Sequence, residues 1–229
     1  RFVWSISYFG TAQRYIVENA PDALDAPGEW YLDKQAGVVR YLAFPGEDPS
    51  RSTIVVPRLN CLVTVSGDTE LGLWVENLRF SGLSFQYEDW ALEPTGHSDG
   101  QAVESAPAAI ILDGARNVTF ERCDIAHVGD YALWLRRACK DNVVRQCRIH
   151  DLGTGGVRIG VTSTPLSDAE TSSGNIVDNC HIFDGNHVYA GGVGLFIAQA
   201  FGNQITHNEI HSLTYSGISV GWTWGDNET

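Results

Sequence analysis

The chain lacks methionine, and its basic residues are few. Lysine and arginine number 15 against 28 aspartates and glutamates, so the formal net charge is −13. A nucleic-acid surface needs clustered lysine and arginine to displace phosphate counterions, and an anionic membrane attracts the same residues. We therefore expect neither nucleic acid nor a membrane as a partner. Since reading frames begin with methionine and this chain begins with Arg1, we expect a mature product or an excised fragment.

Long apolar runs and paired metal-binding cysteines are also missing. No run approaches the ~18 apolar residues that a membrane-spanning helix needs. The five cysteines are an odd number and contain no CxxC pair, which the usual structural zinc sites require. The composition therefore excludes a helical membrane protein and a classical zinc domain.

What the chain does contain is a repeat. From residue 77 onward, an asparagine is followed by an alternating apolar stretch that ends in isoleucine or phenylalanine. These asparagines are Asn77, Asn117, Asn142, Asn175 and Asn203. The shortest spacing, from Asn117 to Asn142, is about one coil of a parallel β-helix. Each of the last four repeats is followed by a second short strand, and these strands are 132–135, 156–159, 192–195 and 217–220.

The repeat predicts an all-β protein whose coils stack as a right-handed, single-stranded parallel β-helix of the pectin lyase-like type. We place the coils at residues 54–229, truncated at the C-terminus, and a small β-rich appendage at residues 1–53. Polar stretches 87–107 and 161–174 lengthen two coils. Solenoids tolerate insertions at a coil corner, because each coil contacts only its neighbours.

Strand alternation predicts which side chains face the core. Cys123, Cys147 and Cys180 point inward with the isoleucines two positions later, and we expect them to be reduced apolar filler. The repeated asparagines should form a hydrogen-bonded ladder along one corner. Because a ladder asparagine is hidden, we discount glycosylation at the sequon that begins with Asn117.

Before the repeats, the pattern differs. Residues 29–33 and 38–42 read as two strands joined by a turn that ends in Gly37. Residues 54–57 should begin a further strand, and residues 62–65 should form the first coil.

Two segments carry a resemblance to a known family. They are 26–33, continued by Tyr41 and 45–48, and the run Tyr-Ser-Gly-Ile-Ser-Val-Gly-Trp-Thr-Trp-Gly at 215–225. Together they resemble glycoside hydrolase family 141, whose activities include α-L-fucosidase and xylanase. The resemblance implies a fragment of a secreted or periplasmic enzyme that acts on plant or other complex polysaccharide. It also implies catalytic carboxylates after residue 225, in motifs such as Ser-Asp-Met-Gly-Gly that this chain does not contain, so whether the chain acts alone stays open.

Within the chain, Asp151 and Asp184 occupy equivalent positions, two after Ile149 and Ile182. Neighbouring coils are ~4.8 Å apart, a spacing that suits the paired carboxyl groups of a retaining glycosidase. Three readings remain: aspartates that cap corner N–H groups, a calcium site, or a catalytic pair. Calcium needs more oxygens than two carboxylates supply.

Two histidines raise the question of a metal site. His150 and His211 are also equivalent, but Phe183 lies between them in the stack. The interruption argues against a metal, so we predict no metal site and no required cofactor.

A sugar groove is predicted on the outward face of the second strands, at Trp134, Arg158, Gly194 and Ser219. Gly194 would leave a depression, and Arg158 could hold a uronate carboxylate. Trp222 and Trp224 continue this ribbon of aromatic rings, which suit the C–H faces of sugars. Tyr215 and His187 complete the predicted substrate-binding set, His187 by overhanging the groove together with Tyr189. The alternative is that these aromatics pack beneath inserted loops.

The sequence therefore leaves three candidate functions. The first is a glycoside hydrolase that binds an oligo- or polysaccharide. The second is a polysaccharide lyase, which would need a basic residue beside an acidic sugar, and Arg158 is the only well-placed one. The third is a non-catalytic carbohydrate-binding or adhesin β-helix. The oligomeric state stays open.

Overall fold

A computed structural model describes residues 17–92, 96–97, 101–165 and 167–222. The chain divides into two compact units, one ending at Val55 and the other beginning at Val56. Among the described residues, no helix is long and apolar enough to cross a membrane.

The described residues of the first unit, 17–55, contain one antiparallel hairpin, formed by β1 (Trp30–Asp33) and β2 (Val38–Tyr41), with Trp30 opposite Tyr41. In this part of the chain it is flanked by two short 3-10 turns, at Pro21–Ala23 and Pro49–Arg51. The loop after β2 is held by Glu47, whose carboxylate accepts the Tyr41 hydroxyl at 2.7 Å and the Phe44 N–H at 2.9 Å. The two predicted strands are confirmed, whereas the strand predicted at 54–57 is wrong, because these residues form no ladder.

The second unit is built from short strands with no helix among its described residues. In chain order they are β3 (Val63–Ser66), β4 (Val75–Glu76), β5 (Arg79–Ser81), β6 (Ser84–Glu88), β7 (Ala108–Asp113), β8 (Ala115–Arg116), β9 (Thr119–Glu121), β10 (Asp124–Val128), β11 (Tyr131–Arg137), β12 (Val143–Arg145), β13 (Arg148–Leu152), β14 (Val157–Ile159), β15 (Ser172–Ser173), β16 (Ile176–Asp178), β17 (His181–Phe183), β18 (Leu195–Ile197), β19 (Ala200–Phe201), β20 (Gln204–Thr206), β21 (Glu209–His211) and β22 (Ile218–Val220).

These strands form three long sheets that run along the solenoid. The first sheet has the order β22-β18-β14-β11-β7-β3, the second β20-β16-β12-β9-β5, and the third β21-β17-β13-β10-β6. Two small pairs, β4 with β8 and β15 with β19, bridge corners. All of the strand pairings in these sheets are parallel, and each full coil contributes one strand to every sheet. The predicted parallel β-helix is therefore confirmed.

Equivalent side chains stack into the core. Ile125, Ile149 and Ile182 are fully buried and lie opposite one another in the third sheet. Burial of an isoleucine contributes roughly 1.5–3 kcal/mol, so the stack stabilises coils that could not fold singly. At the edge of this core, Phe80 stacks on Phe120 with ring centroids 4.7 Å apart.

The cysteine column lies beside the isoleucines, as predicted. Cys123, Cys147 and Cys180 are each 2% exposed. Each thiol lies 3.5–3.6 Å from a backbone carbonyl of the preceding coil. In the next coil Asn208 takes this position, and its side chain accepts the Cys180 N–H at 2.9 Å. The cysteines are therefore packing residues of the core.

An asparagine ladder runs along the corner before the second sheet. Asn142 Nδ2 donates to Asn175 Oδ1 at 2.9 Å, and Asn175 Nδ2 donates to Asn203 Oδ1 at 3.0 Å. Asn142 Oδ1 accepts the N–H of Val118 at 2.9 Å. Val118, rather than Asn117, thus holds the ladder position in the preceding coil.

For Asn77 and Asn117, the predicted ladder position is wrong. Both lie one residue earlier, in the left-handed backbone region with φ of 61° and 52°, which asparagine tolerates well. Both are exposed. The argument that the Asn117 sequon is hidden therefore fails.

Candidate functional site

On the outward face of the first sheet, where the sugar groove was predicted, the stacked side chains differ from the predicted set. Register places Trp134 beside Arg158, Arg158 beside Phe196, and Phe196 beside Ser219. The predicted strand at 192–195 is wrong, because the ladder begins at Leu195. Gly194 therefore leaves no depression, and the ring of Phe196 fills that place.

Arg158 is buried rather than open to a ligand, with 1% of its surface exposed. Its Nη1 donates to the Ala106 carbonyl and its Nη2 to the Glu104 carbonyl, both at 2.6 Å. The guanidinium carbon lies 3.7 Å from the ring centroid of Trp134. Arg158 thus ties residues 101–107, which we call the cover segment, to the sheet. The prediction that Arg158 clamps a uronate is wrong.

The cover segment closes this face. Ala102 packs with Val193 and Phe196, whereas Val103 and Ala106 pack with Tyr131. The Tyr131 hydroxyl donates to the Ala102 carbonyl at 2.7 Å. The reading in which the aromatics pack beneath an inserted loop therefore describes this face.

The remaining aromatic residues of the predicted groove have separate environments. Trp134 Nε1 donates to the Gly160 carbonyl at 2.7 Å. Trp222 packs edge-on against Phe196, with centroids 5.7 Å apart. Tyr215 is 44% exposed, which leaves its ring open to solvent. Trp224 lies outside the described residues.

A second, open constellation lies where the strands of the third sheet turn a corner. The residue two positions after each inward-facing phenylalanine or isoleucine of the third sheet has a left-handed backbone with φ of 51–66°. These residues, which we call the corner column, are Tyr87, His127, Asp151, Asp184 and Ser212. Aspartate adopts this conformation readily, but for tyrosine and histidine it costs about 1–2 kcal/mol. Residues held in such costly backbone conformations often belong to functional sites, and this raises the hypothesis that the corner column is one.

Glycines behind the column let the coils approach closely. Gly129 and Gly153 follow His127 and Asp151 by two residues. A Cβ on Gly153 would lie 1.9 Å from the Gly129 carbonyl oxygen, and one on Gly129 would lie 2.2 Å from Trp90 Cβ. Only glycine permits this approach.

The corner column brings the two predicted carboxylates together. His187 Nε2 lies 3.2 Å from Asp184 Oδ1 and 3.7 Å from Asp151 Oδ1, and one ligand atom from each of the three lies within 4.8 Å of the others. His127 Nδ1 pairs with the other oxygen of Asp151. Tyr87 stacks on His127 at 5.0 Å with an interplanar angle of 9°. The neighbouring positions predicted for Asp151 and Asp184 are confirmed.

His187 was predicted to overhang the groove, and that placement is wrong. It lies between the two aspartates because the loop after β17 turns back at Asp184. The His187 N–H donates to the Leu152 carbonyl at 3.1 Å. About half of its side chain is exposed. It therefore joins the carboxylates in one solvent-facing cluster.

A different carboxylate accepts the backbone N–H groups at this corner. Among contacts between described residues, those of Asp151 and Asp184 are to imidazoles rather than backbone N–H groups. Glu88 Oε2 instead accepts the N–H groups of Gly129 at 2.8 Å and Asp130 at 3.3 Å. Calcium also fits the aspartate cluster poorly, since calcium prefers six to eight oxygens and one member here is an imidazole. Of the three predicted roles, these contacts disfavour capping and calcium binding.

Glu88 and Asp130 form a buried acid pair that the sequence did not reveal. They are 2% and 4% exposed. Burial and the neighbouring Asp130 charge raise the pKa of Glu88 to about 8, and burial raises the pKa of Asp130 to about 6. The partners are 42 positions apart. Glu88 is in register with Val128, which is in register with Leu152 in the next coil. A carboxylate three positions after Phe85, where the next two coils carry apolar residues, is the signal that the sequence analysis missed.

Comparison with known proteins agrees with this architecture. Residues 63–181, more than half of the chain, match the family described as "Right handed beta helix region", and the chain belongs to that family. No curated protein matches. A solved structure titled "Glycoside hydrolase" is similar over 90% of this chain, with 27% identity and a TM-score of 0.85. The chain spans 41% of that protein's length. The protein is thus a right-handed β-helix of the glycoside hydrolase-like kind.

Proposed function

We propose that the chain is part of a secreted or periplasmic glycoside hydrolase that acts on plant or other complex polysaccharide, and that sugar binds at the corner column. The observation that carries this proposal is the pair of solvent-facing carboxylates, Asp151 and Asp184, on adjacent coils. Their setting, a β-helix 27% identical to a glycoside hydrolase, supports it. The net charge of −13 suits a neutral rather than a uronic-acid substrate.

The separation of the carboxylates favours a retaining mechanism. Retaining glycosidases place their carboxyl groups about 5–5.5 Å apart, whereas inverting enzymes need room for a water at roughly 6.5–9.5 Å. Asp151 and Asp184 offer oxygens within 4.8 Å of each other. In this proposal one carboxylate attacks the anomeric carbon, and the other protonates the leaving oxygen and then activates water.

The neighbours of the pair have positioning roles. His187 contacts both aspartates, and His127 holds Asp151 from the opposite side. The Tyr87 ring is 40% exposed beside His127, and an aromatic face suits the C–H face of a sugar. Tyr215 stays a predicted sugar contact.

The resemblance to family 141 directs the choice of substrate. We expect α-L-fucosides or xylan. A polysaccharide lyase is disfavoured, because burial of Arg158 beneath the cover segment removes the one well-placed basic residue. The following experiment distinguishes hydrolysis from a purely carbohydrate-binding or adhesin role.

Asp151→Asn and Asp184→Asn, each made in the full-length gene product, test the proposal. We expect each to lower kcat on an aryl α-L-fucoside or on xylan by about 10²–10⁴-fold, because a nucleophile or an acid/base is lost. KM should change little. Asp141→Asn is the matched control, since Asp141 is an exposed aspartate with φ of 56° at another corner.

Retention of hydrolysis in both variants would move the chemistry to the carboxylates that the family 141 resemblance implies after residue 225. Calorimetry with fuco- and xylo-oligosaccharides then tests binding alone. Loss of affinity in those two variants, with Asp141→Asn unaffected, would leave the chain a binding role. Unchanged affinity would remove the corner column from sugar recognition.

A further inference from the structure

A second cluster lies on the outer face of the third sheet, beside the corner column. Register places His181 opposite Glu209 and Phe183 opposite His211 on adjacent strands β17 and β21. His181 Nε2 and His211 Nε2 are 2.8 Å apart, and His211 Nε2 is 3.7 Å from Glu209 Oε1. One ligand atom from each of the three lies within 4.8 Å of the others. Two imidazoles and one carboxylate thus converge from neighbouring coils.

The hydrogen bond behind His211 suits metal ligation. His211 Nδ1 lies 2.9 Å from Ser212 Oγ. An Nδ1–H that donates to this hydroxyl leaves the Nε2 lone pair directed toward His181. Metal-binding histidines usually donate their second ring N–H to such a partner, which fixes both tautomer and ring orientation.

Phe183 holds the two rings in place. It stacks on His181 at 4.1 Å and on His211 at 5.3 Å, with interplanar angles of 24° and 20°. On its other side it stacks on His150 at 5.0 Å. Phe183, which separates His150 from His211 in the stack, therefore also orients His211 toward His181. The sequence analysis did not pair these two histidines.

The donor set selects the class of ion. Two histidines with one glutamate, and a fourth position left to water, are a common zinc arrangement, whereas calcium and magnesium prefer oxygens only. The other three-residue group, Asp151, Asp184 and His187, has a single imidazole and is a weaker match to this set. Arg148 lies opposite His181 on the neighbouring strand, with its guanidinium 5.0 Å from the Phe183 ring, and it pairs with Asp124 at 3.6 Å.

We propose that His181, His211 and Glu209 bind a divalent transition-metal ion of the zinc class through both Nε2 atoms and the glutamate carboxylate. The ion replaces the proton that the two imidazoles would otherwise share. It links β17 to β21 and so clamps two coils on their outer face. This site adjoins the proposed sugar site, because His211 bonds to Ser212 of the corner column, but it uses neither Asp151 nor Asp184.

Calorimetric titration of the chelator-treated protein with Zn²⁺ alone tests the proposal. We expect one ion per chain, and an affinity at least about tenfold weaker in His181→Ala and in His211→Ala, since each removes one of three ligands. Glu209→Gln should weaken binding less. His207→Ala is the matched control, because His207 is an exposed imidazole paired with Asp178 at 2.9 Å and outside the cluster. It should bind zinc like the parent.

Cobalt substitution supplies a second readout that is independent of activity. Bound Co²⁺ should show the visible bands of nitrogen and oxygen ligation without thiolate charge-transfer absorption. Absence of zinc binding, or equal affinity in the His181→Ala and His211→Ala variants and the parent, would overturn the proposal and leave a hydrogen-bonded imidazole pair. Thiolate absorption would overturn it too, by moving the ion to the cysteines. Because His181 and His211 lie on the outer face of the sheet, circular dichroism should show both variants folded.

Discussion

The outward face of the first sheet and the corner column of the third sheet carry similar chemistry in opposite settings. The first holds Trp134, Arg158 and Phe196, the residue types expected of a sugar groove, but the cover segment seals it and Arg158 is 1% exposed. The second holds His127, Asp151 and Asp184, whose side chains are 41–53% exposed. Residue type alone therefore does not locate a binding surface in a solenoid, because an insertion from another coil decides which face is open.

Removal of the arginine from the sealed face should have the largest effect. Arg158→Ala leaves the carbonyls of Glu104 and Ala106 without their donors and a cavity beside Trp134. We expect a loss of about 3 kcal/mol or more, which lowers the melting temperature by roughly 5–10 °C. Thermal unfolding measures it. Arg137→Ala, at an exposed position on the neighbouring strand β11, should change stability by less than about 0.5 kcal/mol.

A groove at Arg158 would give the opposite pattern. Sugar affinity would then fall while the melting temperature stayed near that of the parent.

The buried acid pair beneath the corner column should make stability fall as pH rises. Folded Glu88 keeps its proton up to a pKa of about 8, whereas the unfolded carboxyl loses it near 4.5. The folded state therefore binds the extra proton between these values, and its advantage is lost as pH rises through 8. Asp130 acts in the same direction between 3.8 and about 6. We expect the melting temperature at pH 9 to lie about 3 °C or more below that at pH 5.

Glu88→Gln should flatten this dependence, because the amide oxygen still accepts the Gly129 N–H and carries no charge. Exposed Glu70→Gln is its control and should follow the parent curve. A Glu88→Gln protein with the parent's slope would show that other groups cause the pH dependence.

The smallest change in stability is expected in the open corner column itself. Tyr87→Asn removes a stacked ring but places a residue that tolerates φ of 66°. We expect stability to stay within about 1 kcal/mol of the parent, while sugar affinity falls about three- to tenfold through the lost aromatic face. Arg122→Asn changes another exposed corner with φ of 50° and should leave affinity unchanged. Equal sugar affinity in all three proteins would contradict a role for Tyr87.

Much of the architecture could be predicted because a solenoid repeats. The inward columns of cysteine and isoleucine follow from strand alternation, and Asp151 and Asp184 follow from equal offsets to those isoleucines. The register was harder to predict. Asn117 matches the repeat by eye, yet Val118 occupies the ladder position, because a left-handed residue at the corner shifts the count by one.

The misplaced groove has a different cause. Alternation along β14 correctly directs Arg158 outward, but it cannot reveal that Ala106, 52 positions earlier, covers it. The same limit hid the approach of His187 to the aspartates. Each depends on where an inserted loop returns to the solenoid.

The sequence by itself determined the coils, their core and the stacking of equivalent residues, because a strand's period of two and a repeat's spacing are local properties of the chain. Only the tertiary structure decided which outward surfaces stay open, because closure depends on contacts between segments that lie far apart in sequence. It was the tertiary structure, therefore, that separated the sealed Arg158 from the open aspartates and brought His181 to His211.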